Sequence, residues 1–172
     1  MTTRIASLVL DGPGLRFRAR TGSGHEIVLD DTAGDGGARP AELIAVAAAG
    51  CAAMDVISIL RKKRQDVTRY EVRASAEQVD AGHPAVFTRI EVIHVVEGPA
   101  VEVEAVRRAI ELSATRYCAV GGTLSTGITE IHHRYVVRPT VGDEVMGEVL
   151  VTGPHNDPER LGETAEVALT SG

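Results

Sequence analysis

The chain has 172 residues, 44% apolar and 24% charged, which suits one domain with a hydrophobic core. Aromatic residues make up only 3% and Trp is absent, which excludes base-stacking platforms for single-stranded nucleic acid. The net charge of −6 argues against nucleic acid and against an anionic membrane as partner. That charge lies at one end. Residues 1–138 carry 17 acids and 17 bases, whereas residues 139–172 carry seven acids and one base, Arg160. The division predicts a domain over 1–138 and an acidic C-terminal extension over 139–172. Met1-Thr-Thr-Arg-Ile5 runs straight into alternating residues, so no secretory leader is expected. Nor is any apolar stretch expected to reach membrane-spanning length. The expected compartment is the cytoplasm, where thiols stay reduced.

Three short strands are predicted first. Residues 4–10 alternate; residues 15–21 set Leu15, Phe17 and Ala19 on one face and Arg16, Arg18 and Arg20 on the other; Ile27-Val-Leu29 is the third. Asp11-Gly-Pro-Gly14 and Thr21-Gly-Ser-Gly24 are the turns, and Asp30–Gly37 is a Gly/Asp-rich loop. Pro40 suits the first turn of a long helix that runs to about Arg64, where Arg61-Lys-Lys-Arg64 complements the helix dipole. From Leu43 to Leu60 this helix is apolar nearly all round, which predicts burial between other layers. Residues 69–79 form the clearest strand, with Tyr70, Val72, Ala74 and Ala76 on one face. A turn at Asp80-Ala-Gly-His-Pro84 leads to a strand at 86–97. Gly98-Pro99 then opens a helix to about Tyr117, which Gly121-Gly122 is expected to end. A last strand, 128–137, places Thr129, Ile131, His133, Tyr135 and Val137 on one face. The order βββ-α-ββ-α-β predicts an α+β fold.

Chemistry centres on two cysteines, Cys51 inside the apolar helix and Cys118 at the end of the second helix. Cys51 lies too far from its helix start for the dipole to lower its pKa, since that effect fades within the first turn. Ile44, Ala47, Asp55, Ser58 and Lys62 share its face, and a carboxylate beside a thiol raises its pKa. Asp55 is therefore expected to point elsewhere, or to be neutralised, if Cys51 reacts. Either cysteine alone reads as a small buried hydrophobe before it reads as a reactive thiol. Together they form a candidate redox pair, in which Cys118 attacks an oxidised Cys51 sulfur to give a disulfide. No metal site is expected. There is no CxxC or HxxxH, and His132 and His133, neighbours on a strand, point to opposite faces. His83, before Pro84, reads as a turn residue, and neither a P-loop nor a nucleophile elbow occurs.

At Pro40-Ala-Glu-Leu43, Gly50-Cys51, Met54-Asp55-Val56, His83-Pro84-Ala-Val-Phe-Thr88 and Tyr117-Cys118 the sequence resembles the OsmC/Ohr family, the osmotically inducible and organic hydroperoxide resistance proteins. The resemblance spans about residues 4–137 and is nearest the YhfA-like branch. It implies an intertwined homodimer of two-layer α+β subunits with the long helices buried at its centre. It also implies thiol peroxidase chemistry: Cys51 attacks the O–O bond of an organic hydroperoxide, Cys118 resolves the sulfenic acid, and an external dithiol such as a lipoyl group restores the thiols without a bound cofactor. An arginine and a glutamate activate the peroxidatic thiolate in that family. Here the glutamate's register falls on Ala41, with Glu42 one place over, and Arg39 is the arginine nearest Pro40, while Arg16 and Arg18 lie on the N-terminal hairpin. Glu42, nine residues from Cys51, would sit about 13 Å along a continuous helix. Arg39 and Glu42 are the candidate activating residues. The alternative function is an OsmC-like binder of a small apolar molecule, without turnover. A third, an interaction protein built on the acidic tail, rests on charge alone.

Overall fold

In a computed structural model, residues 2–79 and 85–153 are described. His83 and Pro84 lie outside them, as does the end of the acidic segment. The chain divides into two units, Met1–Ile44 and Ala45–Gly172.

The first unit is an antiparallel sheet of β1 (Ala6–Leu10), β2 (Phe17–Thr21) and β3 (Glu26–Leu29), in the order β1-β2-β3. Asp11 closes the first turn: its backbone N–H donates to the Arg16 carbonyl at 2.8 Å, and its carboxylate pairs with Arg16 and Arg18. The loop after β3 is organised by buried Asp30, whose carboxylate accepts from the N–H groups of Asp31 and Gly36. A Cβ at Gly34 would lie 2.5 Å from that carboxylate, which is why this loop takes glycine there. Helix α1 (Glu42–Lys62) follows, its first bonds running from Glu42 N–H to Arg39 and from Leu43 N–H to Pro40. Pro40 thus occupies the entry turn, where its missing N–H costs nothing.

The second unit contains most of α1 and a four-stranded sheet of order β4-β5-β6-β7, comprising β4 (Arg69–Gln78), β5 (Phe87–Gly98), β6 (Glu130–Pro139) and β7 (Val145–Thr152). β5 and β6 are parallel, and the crossover between them carries α2 (Val103–Leu112), a single π-helical turn (Ser113–Tyr117) and α3 (Ala119–Leu124). Ile131, His133, Tyr135 and Val137 are buried on one face of β6, as their spacing predicts. Val106, Ala109 and Ile110 of α2 join Val56 and Leu60 of α1 and Val96 of β5 in one apolar cluster.

Four expectations change. Gly121-Gly122 does not end the second helix: α2 stops at Leu112, the break falls at Cys118, in extended conformation (φ −72°, ψ 96°), and the two glycines lie inside α3. α1 is not buried all round by its own chain. Ala48, Ala52, Val56 and Leu60 form a buried stripe, while Val46 and Met54 are 63% and 74% exposed. By length and composition α1 is also long and apolar enough to cross a membrane, with 21 residues and a mean hydropathy of 2.2 over its most apolar 18. Asp55, the one charged residue between Leu43 and Leu60, does not offset the Ala, Val, Ile and Leu around it, and the helix spends its buried stripe on the protein's own core. Finally, the acidic segment supplies a strand. β7 pairs antiparallel with β6, and Glu148 within it and Glu144 just before it meet Arg134 and Arg138. A register shift between His133 and Arg134 breaks the period-2 pattern that would have marked it.

Candidate active site

Cys51 is the tenth residue of α1, and Asp55 follows one turn later on the same face. Opposite them, the π-helical turn adds one residue to the helical ladder, closed by the Cys118 N–H donating to the Ser113 carbonyl at 2.9 Å. Such turns recur at functional sites because they re-aim side chains. Here the turn brings Ser113 and Cys118 to α1. The Cys51 sulfur, the Cys118 sulfur and an Asp55 carboxylate oxygen all lie within 4.8 Å of one another. Both cysteines are free thiols, Cys51 half-buried and Cys118 buried.

The surrounding hydrogen bonds hold this arrangement. The Ser113 hydroxyl donates to Asp55 at 3.1 Å, and the Gly121 N–H donates to the Cys118 sulfur at 3.2 Å. A Cβ at position 121 would come within 3.3 Å of that sulfur, so glycine suits the close approach. Asp55 faces the thiols and does not point elsewhere, the first of the two arrangements expected if Cys51 reacts; its position one turn from Cys51 and the hydroxyl of Ser113 account for this.

Electrostatics act on the buried thiol. Burial above all, then the hydrogen bond with Cys51, pushes Cys118 up to about 12; the Gly121 N–H works against this, and the charges of Cys51 and Asp55 add to it. Cys118 is therefore a protonated thiol at neutral pH. Burial and then the Asp55 charge also raise the Tyr70 phenol above its usual range. The Tyr70 hydroxyl shares a 2.7 Å hydrogen bond with Nδ1 of His94, and the two rings are stacked. An apolar cavity of about 470 Å³ lies between α1 and β4, lined by Val46, Ala49, Gly50, Ala53, Tyr70 and Val72 among others.

Arg39 and Glu42 are engaged with each other at the helix entry. The Arg39 N–H donates to the Glu42 carboxylate at 3.0 Å, and the Arg39 guanidinium donates to Asp35 at 2.8 Å. The sequence reading missed Ser113. Its signal would have been a serine five residues before Cys118, but a π turn has no sequence signature strong enough to reveal it. His132 and His133 do face opposite ways: His133 is buried, and His132 lies beside Glu148 and Glu130.

Comparison with known proteins bears on what such a pair is for. A family model described as OsmC-like protein matches residues 33–134. Protein YhfA of Escherichia coli strain K12 is 40% identical over 124 residues, covering 72% of this chain and 92% of that protein. A crystal structure of a hypothetical protein from Aquifex aeolicus VF5 superposes with a TM-score of 0.72 at 27% identity, covering 82% of this chain and all of that one. An organic hydroperoxide resistance protein OsmC from Legionella pneumophila shares the fold, with a TM-score of 0.59 at 12% identity over 80% of this chain and 98% of its own. The α+β fold is the one shared with OsmC-like and organic hydroperoxide resistance proteins, and this chain belongs to the OsmC-like family.

Proposed function

We propose that the protein is a cytoplasmic thiol peroxidase of oxidative-stress defence that reduces organic hydroperoxides, with Cys51 peroxidatic and Cys118 resolving. The observation that carries this reading is the approach of two free sulfurs within 4.8 Å, one of them half-buried and the other buried. The Cys51 thiolate attacks the distal peroxide oxygen. The O–O bond breaks, the electron pair leaves on the alkoxide, and a proton from solvent converts it to the alcohol. Cys51 is then a sulfenic acid. Cys118 attacks that sulfur, its proton leaves with the hydroxide as water, and a disulfide forms. An external dithiol reduces the disulfide by two exchanges. Exposure supports this order of roles, since the more accessible sulfur meets the peroxide and the buried, protonated one waits. Arg39 and Glu42 are proposed as the pair that activates Cys51.

The functional unit is proposed to be a homodimer. An apolar helix that leaves Val46 and Met54 exposed needs a cover, and the exposed Leu8, Val9 and Leu10 of β1 offer a second apolar surface. Met54→Glu is expected to shift the protein towards monomer in sedimentation at micromolar concentration; an unchanged sedimentation coefficient contradicts this assignment of the α1 face.

The activity is tested by following loss of a fatty-acid or tert-butyl hydroperoxide with dihydrolipoamide as reductant. The native chain is expected to turn over, and equal rates for native and Cys51→Ser chains would overturn the reading. The cavity beside Gly50 favours a second reading, an OsmC-like binder that holds a small apolar molecule there without turnover. Binding of such a molecule with no hydroperoxide consumption would select it.

A further inference from the structure

The cluster around Cys51 also has the composition of a metal site. We propose that reduced Cys51, Asp55 and Cys118 form a three-ligand site for a thiophilic divalent cation of the zinc type, with one coordination position left open. The two sulfurs and the carboxylate oxygen lie within 4.8 Å of one another. Zinc–sulfur bonds of about 2.3 Å and zinc–oxygen bonds of about 2.0–2.2 Å in a tetrahedron bring such donors slightly closer than this limit, so small inward shifts complete the site. Two of the three donors already carry outer hydrogen bonds of the kind that orient metal ligands: Ser113 donates to Asp55 at 3.1 Å, and the Gly121 N–H donates to the Cys118 sulfur at 3.2 Å. Two thiolates in the set select zinc, cadmium or a similar soft cation over magnesium or calcium. Cys51 and Asp55 are half-buried, which leaves a way in for the ion and room for water or an external ligand at the fourth position.

Binding exchanges the cation for two thiol protons, which pass to solvent, and needs no oxidant or reductant. A disulfide offers no thiolate, so metal occupancy and sulfur oxidation exclude one another at this site. The inference rests on the reduced pair and its carboxylate, not on the peroxidase reading.

The test uses the full chain, reduced and without oxygen, titrated with zinc against a chromophoric chelator and with cobalt as a coloured substitute. One zinc per chain is expected, with a thiolate-to-cobalt absorption that Cys51→Ser and Cys118→Ser each remove. Ser113→Ala should weaken zinc binding by about 10–100-fold, the usual effect of losing an outer-shell partner. The isosteric Asp55→Asn should weaken it further than Ser113→Ala. The native chain alkylated on both thiols should bind no zinc, a control independent of how the serine variants fold. A cobalt complex without the thiolate band, zinc affinity unchanged in Asp55→Asn, or equal binding by the alkylated chain overturns the proposal. No arm reads hydroperoxide turnover, so failure here and failure of the peroxidase reading are separate results.

Discussion

Replacing Cys51 with serine is expected to lower hydroperoxide consumption by at least about 1,000-fold, the scale on which loss of a covalent nucleophile acts. Cys118→Ser should behave differently. Its Cys51 still meets peroxide, so one equivalent is consumed per chain, but the sulfenic acid then has no buried thiol to resolve it. Dithiol-supported turnover falls while the first equivalent survives, and a sulfenic-acid trap should label Cys51 in this variant alone. The asymmetry follows from the site: Cys51 is half-buried, whereas Cys118 is buried and held protonated up to about 12. Stopped-flow measurement of the first equivalent, followed by steady-state turnover, separates the two steps. Equal loss of the first equivalent in both variants contradicts the assigned roles.

Stability is expected to fall steeply as the pH drops below 6.5. His94 on β5 and His133 on β6 are buried on the same sheet face; Val92 pairs with His133 and His94 with Tyr135, so the two imidazoles are diagonal neighbours. Burial first, then the neighbouring His133, holds His94 down at about 3; burial first, then His132, holds His133 down at about 4. The hydrogen-bond partners of these rings are neutral, Tyr70 on His94 and Thr152 on His133. In the unfolded chain both imidazoles take protons as the pH falls through 6.5, their ordinary value, while the folded chain resists until near 4 and 3. The unfolded state therefore binds more protons in this window. The histidines' contribution is complete above about pH 6.5 and is lost as the pH falls towards their folded values. Going from pH 6.5 to 4.5 should cost on the order of 2–3 kcal/mol per histidine, read from urea unfolding at several pH values. Glu148, lowered by its bonds to His132 and Arg134, acts in the same direction at lower pH. Tyr70→Phe with His94→Leu removes one histidine from the window and should about halve the slope. A native stability that stays constant between pH 6.5 and 4.5 contradicts the account.

Much of this fold was legible in the sequence because its strands alternate cleanly and its turns carry Gly and Pro. β6 buries the residues that its period-2 spacing points inward, and β4 half-buries those of its own apolar face. What was not legible depended on backbone irregularity. The π turn at Ser113–Tyr117 moves the helix break from Gly121-Gly122 to Cys118, and only that move aims Ser113 at Asp55. β7 was hidden by the shift between His133 and Arg134 and by an acidic composition that reads as an appendage until Arg134 and Arg138 are seen beside Glu148 and Glu144. Both cysteines could be named from their helices and family motif, but not their separation, which is a tertiary property. Asp55 shares the Cys51 face one helical turn away, which helical spacing shows, but its hydrogen bond to Ser113 depends on the π turn and has no sequence signal.

The most direct measurement adds one equivalent of an organic hydroperoxide to the reduced native chain and maps its cysteines by mass spectrometry. A bond between Cys51 and Cys118, formed stoichiometrically within the chain and reversed by dihydrolipoamide, is the expected result. Peroxide left unconsumed, or Cys51 oxidised while Cys118 remains a free thiol, would contradict the redox pair that two sulfurs within 4.8 Å support.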